Sequence, residues 1–139
     1  MPTIQKSFRI PEQIIKEINE IVKESKKDFT TIANKLLEEA IKAYHCPGIV
    51  FTEGVSGRRA RIAGTGIEVW EIIATYHSVG KDFKRLRKAY HWLLEQQIRS
   101  AIGYYNLYKE EIHTLIAENE NWTPEQIKKK YPSLAVGDQ

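Results

Sequence analysis

The chain has 139 residues, a formal net charge of +3 and a single cysteine, and its length suits one domain or two small ones. Its hydrophobic content of 42% is enough for a packed core, but no apolar run approaches the roughly 20 residues that a membrane span needs. One cysteine excludes an intrachain disulfide and a cysteine-rich zinc site, and no signal-peptide pattern is present. We therefore expect a cytoplasmic protein with no membrane contact and no cofactor.

The first predicted element is a short strand within TIQKSFRIPEQII, residues 3–15. Side chains alternate between the two faces of a strand. One face would carry Ile4, Lys6, Phe8 and Ile10. The other face would carry Gln5, Ser7 and Arg9. Pro11 ends the strand and suits the first position of a helix, so the strand is predicted to lead directly into a helix.

Two amphipathic helices follow the strand. Apolar residues recur at helical spacing over residues 14–22 and again over residues 32–44. The polar segment KESKKD separates them, and Thr30 or Thr31 can cap the second helix. A strand and two helices of about 45 residues form too small a core to fold alone with confidence. Two copies could pair their strands and interlock their helices, which predicts a homodimer or a higher even oligomer.

Residues 3–45 resemble the ribbon–helix–helix family of transcriptional repressors and antitoxins. The resemblance rests on the alternating strand QKSFR, on Pro11, on a capped second helix and on ANKLLEEAIKAY at residues 33–44. It implies that a two-stranded ribbon enters the major groove of operator DNA, which such a ribbon fits. The residues that would read base edges are Gln5, Ser7 and Arg9. Lys6 stands where the family often has an apolar residue, and the family's glycine between the helices is absent.

The start of the second helix offers backbone N–H groups that can bind phosphate. The candidate phosphate contacts are Lys26, Lys27, Thr30, Thr31 and Asn34. The alternative for the polar strand face is a simple solvated surface; the whole strand–helix–helix pattern favours contact with DNA.

The second half begins with a glycine-rich segment that contains two short β-type runs. We predict a hairpin with strands near residues 49–52 and 58–62, followed by a turn. Three helices are predicted next, at 70–78, 82–90 and 93–118. Tyr104, Tyr105 and Tyr108 of the last helix, with Trp92, could form a dimer contact, but core packing is favoured for most of them. The predicted fold is therefore mainly α with short β segments: a ribbon–helix–helix module (1–46), a hairpin with a three-helix, winged-helix-like unit (47–118), and a tail with a short helix (119–139).

Residues 57–105 are similar to the family known as domain of unknown function 433. The similarity rests on Ile62, Gly64, Thr65, Ile67, Val69, Gly80, Tyr90, Leu93, Ala101, Ile102 and Tyr104. It implies a small β segment beside a helix-turn-helix-like core, and genes of that family often lie next to genes for nuclease toxins of the PIN type. Gly66, Glu68 and His91 depart from the family's usual arginine, proline and proline.

Positive charge is concentrated in this second half, because residues 58–99 hold nine Lys or Arg against four Asp or Glu. The cluster consists of Arg58, Arg59, Arg61, Lys81, Lys84, Arg85, Arg87 and Lys88. It could form a second surface that contacts phosphates, with a salt-dependent affinity. A solvated basic face, or a face for an acidic protein, are the alternatives.

No catalytic or metal-binding pattern emerges from the remaining residues. The four histidines, at positions 45, 77, 91 and 113, and Cys46 do not have metal-ligand spacing. The stretch GVSGRRARIAGTG lacks the lysine and hydroxyl of a phosphate-binding loop and the order of a nucleophile elbow. We do not expect an enzyme.

The expected function is a dimeric, DNA-binding transcriptional repressor. The two resemblances together imply an antitoxin that autoregulates its operon and neutralises a PIN-type nuclease toxin. Two alternatives stay open: a stand-alone regulator without a toxin, and a protein–protein interaction module.

Overall fold

The computed structural model describes residues 2–53 and 58–120, with side chains as far as Asn119. The chain divides into two compact units, residues 1–45 and residues 46–139. The larger part of the predicted tail, residues 121–139, lies outside the described residues.

The first unit consists of an N-terminal segment and two helices, α1 (Glu12–Ser25) and α2 (Phe29–His45). Residues 2–11 have no regular secondary structure in the single chain. A strand requires a hydrogen-bonded neighbour, and the predicted neighbour belongs to a second chain, so the N-terminal strand stays a prediction. Pro11 is the residue that precedes α1 rather than its first helical residue, with φ −54° and ψ 142°.

Lys26 makes the turn between the two helices. Its φ of 60° and ψ of 23° place it in the left-handed region, and its N–H donates to the carbonyl of Val22 at 3.0 Å. Glycine usually fills this position after a helix because it adopts the conformation without strain. A lysine therefore takes the place of the missing glycine and keeps the helix-ending geometry.

Asp28 caps α2, and the prediction that Thr30 or Thr31 does so is wrong. Its Oδ1 accepts a hydrogen bond of 2.8 Å from the backbone N–H of Thr31, and its carbonyl accepts one of 3.1 Å from Ile32. Aspartate is among the preferred residues at this position. The two threonines consequently lie inside the first turn of the helix.

The second unit begins with an antiparallel hairpin of β1 (Ile49–Thr52) and β2 (Arg59–Ile62), as predicted. Ile49 pairs with Ile62 and Thr52 with Arg59. Thr65 fixes the turn that follows, because its hydroxyl donates to the Ile62 carbonyl at 2.9 Å and accepts from the Ile67 N–H at 3.1 Å.

Four helices follow the hairpin: α3 (Val69–Ser78), α4 (Phe83–Ala89), α5 (Glu95–Leu107) and α6 (Lys109–Glu120). The prediction of one long helix over 93–118 is wrong, because the chain bends at Tyr108, where φ is −129° and ψ is 49°. The bend turns α6 back against α3 and buries Ile112 completely. A straight helix would carry these apolar side chains away from the core.

The core of the second unit is built around α3, which packs against β2, α4, α5 and α6. The largest fully buried side chains of this core are Ile62, Val69, Ile72, Ile73, Leu86, Ile98, Tyr104 and Ile112. The coarse prediction of a mainly helical protein with a short antiparallel sheet is therefore confirmed. Within the described part of the chain, no helix has both the length and the apolar character to cross a membrane.

Candidate nucleic-acid interface

The three predicted base-reading residues, Gln5, Ser7 and Arg9, are all exposed in the single chain. The apolar residues between them are exposed as well, since Ile4 is 92% and Phe8 66% accessible. Among residues 2–10, only Ile10, next to α1, is partly covered. The N-terminal segment therefore presents both of its faces, apolar and polar, to whatever binds it.

The helices of the first unit also carry a large uncovered apolar face. Of the hydrophobic side chains of α1 and α2, Ile18 and Ile32 are buried. The exposed ones are Ile14, Ile21, Leu36, Leu37, Ile41 and Tyr44. Burying one such side chain contributes about 1.5–3 kcal/mol, so covering this face with a second copy would stabilise the unit substantially.

The five predicted phosphate contacts lie close together along the chain. Lys26 and Lys27 form the turn, Thr30 and Thr31 lie in the first turn of α2, and Asn34 follows in the next; all five are exposed.

Asp28 lies among these residues, and sequence reasoning overlooked it. Its hydrogen bonds from Thr31, side chain and backbone, lower the pKa of the Asp28 carboxyl, which keeps the group charged at neutral pH. A negative charge thus occupies the start of α2, where a DNA phosphate was expected. The sequence did contain a signal for this cap: aspartate is a preferred N-cap residue, and Asp28 precedes the predicted second helix.

Apart from Lys81, which is exposed shortly before α4, the predicted second basic surface separates into two groups. Its first group consists of arginines of the hairpin, which bond to the hairpin itself, to the turn that follows it and to the residue before α3. Arg58 donates to the Phe51 carbonyl at 2.8 Å, and Arg61 donates to the Gly66 carbonyl at 3.0 Å. Arg59 lies 3.8 Å from the Glu68 carboxylate, and both side chains are largely buried. Arg59 and Arg61 therefore serve the packing of the hairpin.

Glu68 and Glu71 are the carboxylates that Arg59 and Arg61 compensate at the start of α3. The N–H of Glu68 donates to the Glu71 carboxylate at 2.8 Å, and this bond is part of the N-terminal cap of α3. Burial is the main cause that raises the pKa of Glu71; the hydrogen bond from the Glu68 N–H lowers it, and the charge of the Glu68 carboxylate raises it. The charge of Arg61 acts in the opposite direction. A proline at position 68, as in the similar family, could not donate this hydrogen bond.

The second group, Lys84, Arg85, Arg87 and Lys88, is exposed on α4. Leu86 and Phe83 lie on the side of α4 that packs against the core. Asp82 caps the helix by accepting from the N–H groups of Lys84 and Arg85 at 3.0 and 3.3 Å. It also lies 3.9 Å from the Arg85 guanidinium. These four cations therefore form a solvent-facing basic surface.

Two exposed side chains beyond α4 were also missed. Trp92 is 61% and Leu94 69% accessible, whereas Leu93 between them is buried. The sequence favoured core positions for most aromatic residues of this region, and Tyr104 is indeed buried. A signal was available in the spacing, because consecutive apolar residues in a short turn cannot all face one core.

A third cluster joins α3, α5 and α6. The Tyr105 hydroxyl lies 2.6 Å from Nε2 of His113, and the ring of His77 lies 5.6 Å from that of Tyr105 and 6.4 Å from that of His113. Burial, followed by Lys81 and His113, lowers the pKa of His77. Over residues 2–53 and 58–120, no group of three His, Cys, Asp or Glu side chains could hold a metal ion.

The hairpin, α3, α4 and most of α5 lie in a segment that matches a family model. Residues 49–105 match the family of proteins of unknown function DUF433. The DUF433 match covers less than half of the chain and includes neither the first unit nor α6. No curated protein and no solved structure matches the chain.

The residues that carried the DUF433 similarity in the sequence hold the fold together. Ile62, Val69 and Tyr104 are completely or almost completely buried. Gly64 and Gly80 have φ values of 79° and 68°, which favour glycine. The DUF433 segment is thus recognised by its core and its turns, and these residues do not reveal its ligand.

Proposed function

We propose that the chain is a dimeric DNA-binding transcriptional repressor whose paired N-terminal strands read base edges in the major groove. The observation that carries the proposal is the N-terminal segment itself, whose apolar residues Ile4 and Phe8 have no cover in the single chain. Pairing with the same segment of a second chain would bury one face and leave Gln5, Ser7 and Arg9 on the other.

The chemistry of that second face supports DNA as the ligand. Arginine can bond guanine through two hydrogen bonds, glutamine can bond adenine in the same manner, and serine can bond either. Lys26 and Lys27 would contact phosphates, which fix the position of a protein on the duplex without carrying sequence information.

The test combines oligomeric state with selection of bound sequences from a random duplex library. Sedimentation should give a dimer or a higher even oligomer at micromolar concentration, and the selected duplexes should share a symmetric sequence. Phe8→Asp should disrupt both, whereas Thr52→Asp, at an exposed position of the second unit, should disrupt neither. A folded wild-type monomer that selects no sequence would refute the proposal.

The proposal extends to the role of an antitoxin that neutralises a PIN-type nuclease toxin and represses its own operon. Only the two family resemblances support this extension. Co-purification with the product of an adjacent toxin-like gene tests it; specific DNA binding without such a complex would favour a stand-alone regulator.

A further inference from the structure

The α4 helix of the second unit carries exposed cations, Lys84, Arg87 and Lys88. Lys84 and Lys88 are one helical turn apart, and Arg87 lies between them. Asp82 is already engaged with backbone N–H groups and with Arg85. Within the part of the chain that the structure describes, no carboxylate lies within ion-pair distance of Lys84, Arg87 or Lys88.

An exposed aromatic group directly follows this helix. The Trp92 ring lies 5.4 Å from the Tyr90 ring and 5.2 Å from the His91 ring. Tyr90 is itself held on α3, since its hydroxyl lies 3.3 Å from that of Thr75. The buried Leu93 anchors the chain on the other side. The residues on both sides of Trp92 are thus anchored to the fold, while the Trp92 side chain itself is exposed. An exposed indole ring can stack on a planar ligand.

We propose that α4 and Trp92 form a binding surface for single-stranded nucleic acid. Lys84, Arg87 and Lys88 would contact backbone phosphates, and Trp92 would stack on an unpaired base. Proteins that bind single strands combine these two features, a basic surface that follows the backbone and aromatic rings on which bases stack. The surface lies wholly within the second unit and does not depend on the N-terminal ribbon.

Two physical arguments favour this ligand. In a duplex the bases are already stacked, so an exposed Trp92 would find no base face to cover. A protein partner suits the two lysines less well, because lysine is depleted in protein–protein interfaces. Here Lys84 and Lys88 lie on the outward side of the helix, opposite the buried Leu86.

The test measures binding of the full chain to a fluorescently labelled twelve-nucleotide thymidine strand at low salt. All variants carry Gln5→Ala and Arg9→Ala, so that failure of this proposal is separate from failure of the ribbon. Trp92→Ala should weaken binding about 5- to 150-fold, the effect of losing one stacked base. Trp92→Phe should retain most of the affinity, because phenylalanine can still stack.

The cations are tested by salt dependence. Lys84→Gln and Lys88→Gln should each reduce the slope of log affinity against log salt by about 0.7, the value for one phosphate contact with a single strand. Lys109→Gln and Leu107→Ala are matched controls, since both residues are exposed elsewhere in the same unit, and should leave binding unchanged. Thermal unfolding of every variant confirms that the fold is retained.

Three results would overturn the proposal. The first is no binding of the thymidine strand at low salt. The second is unchanged affinity in Trp92→Ala together with equal binding of a duplex, which would indicate a surface for duplex phosphates. The third is displacement of the strand by polyglutamate at an equal concentration of charge, which would indicate an acidic protein as the ligand.

Discussion

The hydroxyl of Tyr104 donates a hydrogen bond of 2.6 Å to the carboxylate of Glu111, and this bond crosses the bend between α5 and α6. The Tyr104 side chain is completely buried. Burial and then the Glu111 carboxylate raise the pKa of Tyr104 above its ordinary range. The phenol therefore stays protonated at neutral pH and acts as the donor in this bond.

We expect Tyr104→Phe to lower the free energy of unfolding by about 1.5–3 kcal/mol, the contribution of a hydrogen bond to a charged group. Denaturant unfolding of the full chain measures the change. Tyr44→Phe is the control, because Tyr44 is 82% exposed in the first unit and should have no comparable effect. Equal stability of wild type and Tyr104→Phe would mean that packing alone holds the bend.

Lys26→Gly is expected to stabilise the first unit by about 0.5–1 kcal/mol. A non-glycine residue in the left-handed region costs roughly 1–2 kcal/mol, and glycine removes this cost from the folded state. The greater backbone freedom of glycine in the unfolded chain offsets part of the gain. Thermal unfolding at fixed protein concentration measures the difference. Lys27→Gly, at a neighbouring position outside the left-handed region, should destabilise; stabilisation by both substitutions would point to charge rather than backbone strain.

The stability of the second unit should fall as the pH drops below about 6.5, the ordinary value for histidine. The pKa of folded His77 is lower than this value, so the unfolded chain takes up a proton first and acid favours unfolding. Protonated His77 would lie beside Lys81 and His113. Chemical unfolding at pH 7.5 and 5.5 should therefore show a larger loss for wild type than for His77→Gln. His91→Gln serves as the exposed control, and a loss abolished equally by both variants would contradict the assignment to His77.

Local signals explain which elements the sequence predicts well. The hairpin is found within a residue at each end, because Gly64 and Thr65 mark the following turn. Gly80, with φ of 68°, and the capping Asp82 mark the start of α4. Such signals depend on the conformation of a few neighbouring residues, so a short stretch of sequence suffices to find them.

The bend at Tyr108 has no such local signal. Apolar residues continue at helical spacing on both sides of it, from Ile98 to Leu115, and the break follows from the packing of α6 against α3. For Trp92 the turn after α4 did carry a local signal, since consecutive apolar residues cannot all face one core, but tertiary neighbours decide which of them is exposed. The N-terminal strand is a different case: its predicted hydrogen-bonded neighbour belongs to a second chain, so the structure of one chain does not test it.

Arg9→Ala should weaken binding to the selected operator by about 1–3 kcal/mol and relax specificity at one base pair in each half-site. Lys26→Ala, which removes a proposed phosphate contact, should instead weaken binding to all sequences and reduce the salt dependence. Competition of the operator against single-base variants distinguishes the two patterns. If Arg9→Ala binds the operator as well as wild type, the ribbon does not read the bases.

Asp28→Asn should increase affinity for every duplex sequence if the start of α2 contacts DNA. Asparagine caps helices about as well as aspartate, so the variant should keep α2 intact while removing a negative charge beside the proposed phosphate contacts at Lys27 and Thr30. The gain should diminish as salt rises, because screening weakens the repulsion that is being removed. Glu24→Gln, an exposed carboxylate in the last turn of α1, controls for net charge alone. An equal gain in both variants would place the effect in the overall charge of the protein, and the start of α2 would then have no specific contact with phosphate.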